Sequence, residues 1–321
     1  MAEKPTILVT RRLPDDVEAR LDRDYLPKKN AEDRPYSREE LLSLAQGCDG
    51  MICTPTDKID ASLIAELPDS VRIISTISVG FDHIDLEAAK AAGRPVTHTP
   101  NVLTDATAEL AFFLVLAAAR RAYEGQKILR TDSWSGWAPT QLMGLQVSGK
   151  RLGVLGMGRI GQAVAKKARG FDMEIHYADQ FRLPPEKEEG AVYHETPEAL
   201  LGVSDFLTLH CPATPDTIKF LNAERIALMP ENAIVVNTAR GPVVDDDALI
   251  AALKSGRLAA AGLDVFQGEP NIHPGYRELD NAYILPHMGS ATIETRNAMG
   301  FMVMDNLDAF FAGKDLPNRV V

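Results

Sequence analysis

Short β-branched runs alternate with helical patterns almost from one end of the chain to the other. That alternation restricts the fold to parallel sheets covered by helices. Residues 7–9, Gly50–Cys53 and 72–76 read as buried strands, with helix-like stretches at 15–22 and 38–46 between them and another at 86–92 that Gly93 ends. A second array opens with the strand RLGVLG at Arg151. It continues through a helix at 162–169, strands at Glu174–Ala178, Phe206–Leu209 and Ala233–Asn237, a helix at 245–254 and a strand at 260–265. Two consecutive arrays predict an α/β protein of two doubly wound parallel-sheet domains. The 321 residues suit that number, at about 150 residues per domain.

Residues 101–121 separate the arrays, with Thr104-Asp105 placed to cap a nearly all-round apolar helix. A helix of that kind must be buried on most faces, between domains or against another subunit. Residues 132–149 hold both tryptophans, Trp134 and Trp137, among Gly, Pro and Ser, and read as a long loop. No fixed-period repeat or low-complexity tract interrupts the pattern.

Composition narrows the function. With 45% hydrophobic and 25% charged residues the chain lies in the range of soluble globular proteins. The net charge of −11 and the lack of a basic patch argue against nucleic acid as a partner. Cys48, Cys53 and Cys211 lack metal-ligand spacing, so no metal is expected, and three free thiols suit a reducing cytoplasm. The start, MAEKPTILVT, lacks the apolar core of a signal peptide. The most apolar stretch, residues 110–119, falls short of the roughly 20 residues that span a bilayer, so no membrane is expected.

The first chemical signal is Gly156-Met157-Gly158-Arg159-Ile160-Gly161, between a strand and a helix. Gly156 makes the tight turn, Gly158 lets backbone amides approach a pyrophosphate, and Gly161 lets the helix pack on the sheet. The helix start then offers unpaired N–H groups and partial positive charge to phosphates. The next strand ends at Asp179, 18 residues beyond Gly161, where an acid accepts from both ribose hydroxyls and repels a 2′-phosphate. NAD is therefore favoured, with NADP the weaker alternative because Arg182 stands close by. A glycine-rich turn without ligand, or a solvated Asp at a strand end, is the plainer reading of either feature alone.

Three segments beyond strands of the second array carry further candidates. NTARG places Arg240, GLDVFQGEP places Asp264 and Glu269, and LPHMGSAT places His287, all where open α/β sheets bind ligands. Together with GMGRIG, these motifs resemble the D-isomer-specific 2-hydroxyacid dehydrogenase family. VGFDHIDL (79–86), LTDATAEL (103–110), SWSGWAP (133–139) and GEPNIHPGYRELDN (268–281) are most similar to its hydroxypyruvate/glyoxylate reductase, or D-glycerate dehydrogenase, branch. The resemblance covers essentially the whole chain in the family's order.

The resemblance implies a Rossmann dinucleotide-binding domain at 102–290 and a discontinuous flavodoxin-like substrate domain at 1–101 and 291–321, completed by a returning helix at 295–311. It implies catalysis by Arg240, Glu269 and His287 at a cleft whose closure excludes water. Arg240 grips the 2-oxo acid, His287 is the general acid, and Glu269 fixes its tautomer and stabilises imidazolium. Backbone N–H groups at Val79 and Gly80 hold the substrate carboxylate, and Trp137 or Trp134 closes the pocket, that of a neighbouring subunit in a homodimer. Asp264 contacts the nicotinamide end. Thr107, Arg159, Ile160, Cys211, Pro212, Thr217, Thr238, His287 and Gly289 line the dinucleotide with the three glycines and Asp179.

The resulting expectation is an NAD(H)-dependent enzyme that reduces hydroxypyruvate to D-glycerate and glyoxylate to glycolate. Within the family the alternatives are a D-lactate-type or longer-chain 2-oxo acid reductase. Formate dehydrogenase is disfavoured because that branch carries Gln where Glu269 stands. A dinucleotide-sensing corepressor-like protein is the alternative from another class. Asp82 and His83 make a tempting acid–base pair, but within VGFDHIDL they read as structural, and Cys211 reads as a packing thiol because no base adjoins it.

Overall fold

The computed structural model describes residues 4–321. It divides into two compact units, one running up to Leu103 and resuming at Ser290–Val321, the other spanning Thr104–Gly289.

The first unit begins with β1 (Thr6–Val9), α1 (Asp15–Asp24), β2 (Leu26–Lys28), α2 (Arg38–Leu44) and β3 (Gly50–Cys53). It continues with α3 (Ala61–Glu66), β4 (Ile74–Thr76), α4 (Leu86–Ala91) and β5 (Val96–Thr97). Side-chain caps start several helices: the Ser37 hydroxyl accepts from Glu40 N, and the Asp60 and Asp85 carboxylates accept from Leu63 N and Ala88 N. The strands lie in the order β2-β1-β3-β4-β5, all parallel, which is the flavodoxin-like order. Ile7, Leu8, Met51, Ile52 and Ile74 are buried because helices cover both faces.

The last helix, Ile293–Phe311, belongs to this unit, and the reason is visible at Gly300. A Cβ there would lie 2.4 Å from the Val17 side chain, so glycine lets this helix close on α1. Arg20 then reaches Asp305 and Asp308 at 2.7 Å, and the chain end runs along β5 through Val320 N to Val96 O at 2.8 Å.

The second unit starts with α5 (Thr104–Ala119), α6 (Ala122–Arg130), β6 (Arg151–Leu155), α7 (Arg159–Arg169) and β7 (Glu174–Ala178). After it come α8 (Pro185–Glu188), β8 (Val192–Tyr193), α9 (Pro197–Val203), β9 (Phe206–Leu209), α10 (Ala223–Leu228) and β10 (Ala233–Asn237). Then α11 (Asp246–Ser255), β11 (Leu258–Leu263) and β12 (Ala282–Ile284) complete it. The parallel order β12-β11-β10-β9-β6-β7-β8 reverses between β9 and β6, the doubly wound arrangement whose crevice lies at that switch point.

The apolar helix α5 finds its cover inside this unit. It packs on α7 and on β10 and β11, where Gly262 leaves room for Leu114: a Cβ there would lie 2.8 Å from that side chain. Ten of its sixteen residues are buried there, while Phe113 stays 43% exposed. The helix stops earlier than residue 121 because Arg121 adopts φ 51°, and α6 follows at once. No helix among the described residues is long and apolar enough to cross a membrane.

Candidate active site

β10 ends at Asn237, whose buried amide turns the chain back on itself: Oδ1 accepts from Ala239 N and Nδ2 donates to Arg240 O, both at 3.0 Å. Arg240 is thereby presented at the strand's C-terminal end, with Nη1 donating to Ala239 O at 2.8 Å. A Cβ on the next residue, Gly241, would lie 1.9 Å from the Phe266 carbonyl carbon. Glycine alone lets the arginine loop close on the loop that follows β11.

That second loop carries Asp264 and Glu269. Asp264 is buried, and its carboxylate accepts from Met288 N at 2.6 Å and Gly289 N at 2.8 Å. Its carbonyl accepts from His287 N at 2.9 Å. Burial pushes the Asp264 carboxyl above its usual range, an effect that the two N–H donors and the His287 charge only partly offset. The clamp holds His287 at φ 55°, a left-handed backbone conformation uncommon outside glycine, which costs on the order of 1–3 kcal/mol. Thr107, in the first turn of α5, adds a bond from Oγ1 to Gly289 O at 3.1 Å.

Held in that way, His287 meets Glu269 through Nδ1 and Oε2 at 2.8 Å, while Oε1 accepts from Phe266 N at 2.7 Å. Nδ1 carries its hydrogen toward the carboxylate, so Nε2 is the atom that can gain or lose a proton. Burial alone would raise the Glu269 carboxyl. The hydrogen bond and charge of His287, the Phe266 N–H and the charge of Arg240 outweigh it and hold the carboxyl below its usual range. His287 remains 45% exposed, so a substrate can reach it. An imidazole, its carboxylate and a guanidinium whose field reaches that carboxylate therefore converge on the ends of β10, β11 and β12.

The dinucleotide candidates lie at the switch point. Gly156 adopts φ 92°, and a Cβ there would lie 2.8 Å from Cys211 N. A Cβ on Gly161 would meet Gly156 O at 2.3 Å, whereas one on Gly158 meets nothing within 4 Å. Helix α7 starts at Gly158 with no side-chain cap, so its first N–H groups have no side-chain acceptor. The buried Thr238 Oγ1 also has no partner among the described residues. Open space over an uncapped helix start, with an unsatisfied hydroxyl near the end of β10, fits the pyrophosphate and ribose of a dinucleotide.

Arg159 and Ile160 form the first turn of α7, and Cys211 and Pro212 follow β9. Burial pushes the Cys211 thiol up to about 11, which suits a packing thiol rather than a nucleophile. Thr217 closes the loop beyond it, accepting from Thr214 N at 2.7 Å and donating to Pro212 O at 2.5 Å. Asp179 accepts from Met157 N at 2.6 Å and Gln180 N at 2.7 Å, which ties the acid to the glycine turn. The Arg182 guanidinium, three residues further on, is bound to Glu188 at 2.8 and 3.2 Å.

Val79 and Gly80 belong to the first unit, just past β4. Their carbonyls accept from His98 Nδ1 at 2.9 Å and Ser78 Oγ at 2.6 Å, and their N–H groups make no hydrogen bond among the described residues. His83 Nε2 lies 3.0 Å from the Thr76 hydroxyl. Trp134 and Trp137 are 55% and 82% exposed on the 132–149 loop, so neither is a core residue.

Residues 112–289 match the model of the D-isomer specific 2-hydroxyacid dehydrogenase, NAD binding domain. The chain belongs to the D-isomer specific 2-hydroxyacid dehydrogenase family. It is 44% identical over 315 residues to a glycerate dehydrogenase of Hyphomicrobium methylovorum, covering 98% of each chain. It is 43% identical over 322 residues to a glyoxylate reductase of Thermococcus litoralis, covering 99% of this chain and 97% of the relative. A solved structure from Polaromonas sp. JS6 66 superposes with a TM-score of 0.96 at 45% identity, covering 99% of this chain and 100% of that one.

This 2-hydroxyacid dehydrogenase is thus an oxidoreductase with a nucleotide-binding domain. Residues that sequence reasoning passed over also shape its site. Asn237 and Gly241 set the Arg240 loop, and the motif NTARGP carried their signal as a strand-end Asn and a glycine after the arginine. Glu188, which binds Arg182, carried no signal because it lies in a polar stretch that reads as surface.

Proposed function

We propose that the enzyme reduces hydroxypyruvate to D-glycerate and glyoxylate to glycolate with NADH. The observation that carries this reading is the His287–Glu269 pair at 2.8 Å, standing within the field of Arg240. The names of the relatives at 43–44% identity support the substrate class.

Bound nicotinamide coenzyme supplies the hydride. Gly156, Gly158, Gly161 and the start of α7 would hold its pyrophosphate, Asp179 its adenosine ribose, and Thr107, Thr238, Asp264 and Gly289 its nicotinamide end. Arg240 grips the 2-oxo acid by its fork of N–H groups and draws negative charge onto the carbonyl oxygen. His287 donates the Nε2 proton to that oxygen as it becomes a hydroxyl. Glu269 stabilises the imidazolium beforehand and keeps Nδ1 protonated afterwards. In the first unit the N–H groups of Val79 and Gly80 are the donors suited to a carboxylate, and in the second Trp137 is the aromatic assigned to the substrate side.

NAD is preferred over NADP because the Asp179 carboxylate repels a 2′-phosphate. D179A should relax discrimination against NADPH; an unchanged ratio means that Asp179 does not touch the ribose. The exposed Phe113, Tyr123, Met143 and Leu145 support a homodimer through this face of the second unit. Sedimentation should give twice the chain mass, and a monomer rejects the dimer. Free Cys48, Cys53 and Cys211 fit a cytoplasmic setting.

The deciding experiment is a set of initial rates for glyoxylate, hydroxypyruvate, pyruvate and phenylpyruvate, each with NADH and with NADPH. Hydroxypyruvate and glyoxylate with NADH should be fastest. Preference for pyruvate or phenylpyruvate assigns another reductase of the family, and coenzyme binding without turnover on any acid assigns a sensing role.

A further inference from the structure

We propose that Glu188 enforces coenzyme choice by holding the Arg182 guanidinium away from the 2′ position of the adenosine ribose. The proposal rests on the reading of Asp179 as the ribose-binding acid, and adds a second element on the other side of the β7 loop.

Arg182 follows Asp179 by three residues. A guanidinium there is within side-chain reach of a phosphate placed beside the acid, and its planar fork matches phosphate geometry. Left to itself, Arg182 would attract the group that Asp179 repels. Its side chain is 62% exposed, yet Nε and Nη2 both donate to the Glu188 carboxylate, at 2.8 and 3.2 Å. The guanidinium carbon also stands 5.6 Å from the centre of the Tyr193 ring.

The acceptor is itself fixed from several sides. The Glu188 side chain is only 10% exposed and also accepts from the Tyr177 hydroxyl at 2.7 Å. Tyr177 is a fully buried residue of β7, and its oxygen accepts in turn from Leu183 N at 3.0 Å. The Glu188 carbonyl accepts from Arg169 Nη2, whose neighbouring Nη1 pairs with Glu189, both at 2.8 Å. An exposed ion pair alone would hold little. Here, withdrawing Arg182 strips a nearly buried carboxylate of both guanidinium bonds and leaves it one hydroxyl, so the arginine stays. Discrimination is a difference between two affinities, and Glu188 acts by removing an attraction to the wrong coenzyme.

The test is calorimetric binding of 2′,5′-ADP and 5′-AMP to the full chain, with no turnover involved. E188Q keeps the shape and weakens the hold on Arg182. It should tighten 2′,5′-ADP by about tenfold, or about 1.4 kcal/mol, and leave 5′-AMP within about twofold. The gain should vanish in E188Q/R182A. A gain that survives removal of Arg182, or no gain in E188Q while D179N does tighten 2′,5′-ADP, overturns the proposal and leaves the Asp179 reading standing. No change in either E188Q or D179N overturns both. Should E188Q fail to fold, Y177F loosens Glu188 from the other side; it should tighten 2′,5′-ADP by roughly threefold, and unchanged affinity overturns the proposal.

Discussion

Glu269 Oε2 stands 2.8 Å from His287 Nδ1 while its other oxygen is anchored to Phe266 N, so one carboxylate, held at both oxygens, orients the imidazole. Replacing it with glutamine keeps the shape and removes the charge. E269Q should slow hydroxypyruvate reduction by about 10²-fold, the scale of acid–base assistance. Loss within about threefold would show that the charge is idle.

The same carboxyl predicts the acid side of the pH profile. Glu269 is held below its ordinary 4.5, so it stays ionised as pH falls to that value and is protonated only below it. Reduction should therefore keep its Glu269-dependent component through pH 4.5 and lose it below. E269Q, with no group to titrate, should lack that component. Identical acid limbs in the two proteins contradict this assignment.

Gly158 and Gly161 make opposite demands. A Cβ on Gly158 meets open space, so G158A should keep its melting temperature and weaken NADH by at least about tenfold. A Cβ on Gly161 would meet Gly156 O at 2.3 Å, so G161A should destabilise the fold by about 1–3 kcal/mol. Denaturant melts with NADH titrations separate the two effects, and equal behaviour contradicts both placements.

Asp205, just before β9, accepts from Arg151 N and Nε at 3.0 Å and from Nη2 at 2.8 Å. The Arg151 hydrogen bonds outweigh burial and hold its carboxyl below the ordinary 3.8. A depressed acid contributes stability that is present above the unfolded value and lost as pH falls through the folded one. D205N should therefore cost about 1–3 kcal/mol at neutral pH, with the gap from the natural protein closing below pH 3.8. A pH-independent gap contradicts the ionic origin.

Much of this was legible in the chain because parallel strands buried on both faces leave continuous apolar runs, and Gly156 to Gly161 mark the turn by composition alone. The short edge strands β2, β5 and β8 were not, since two or three residues with polar or exposed members carry no periodicity. Arg240, Asp264, Glu269 and His287 could be chosen from their positions after strands. Their mutual arrangement depends on Gly241 meeting Phe266 and on the Asp264 clamp at φ 55° of His287, which are contacts between distant segments. Arg182 shows the limit most plainly: sequence places it beside Asp179, and only the fold reveals that Glu188 claims it.

The most direct measurement is kcat/KM for hydroxypyruvate with NADH in H287A, beside the Kd of NADH for the same protein. If His287 delivers the proton, kcat/KM falls by at least about 10²-fold while NADH binds within about threefold of the natural enzyme. Turnover near the natural rate, with the coenzyme still bound, would mean that another group protonates the carbonyl oxygen.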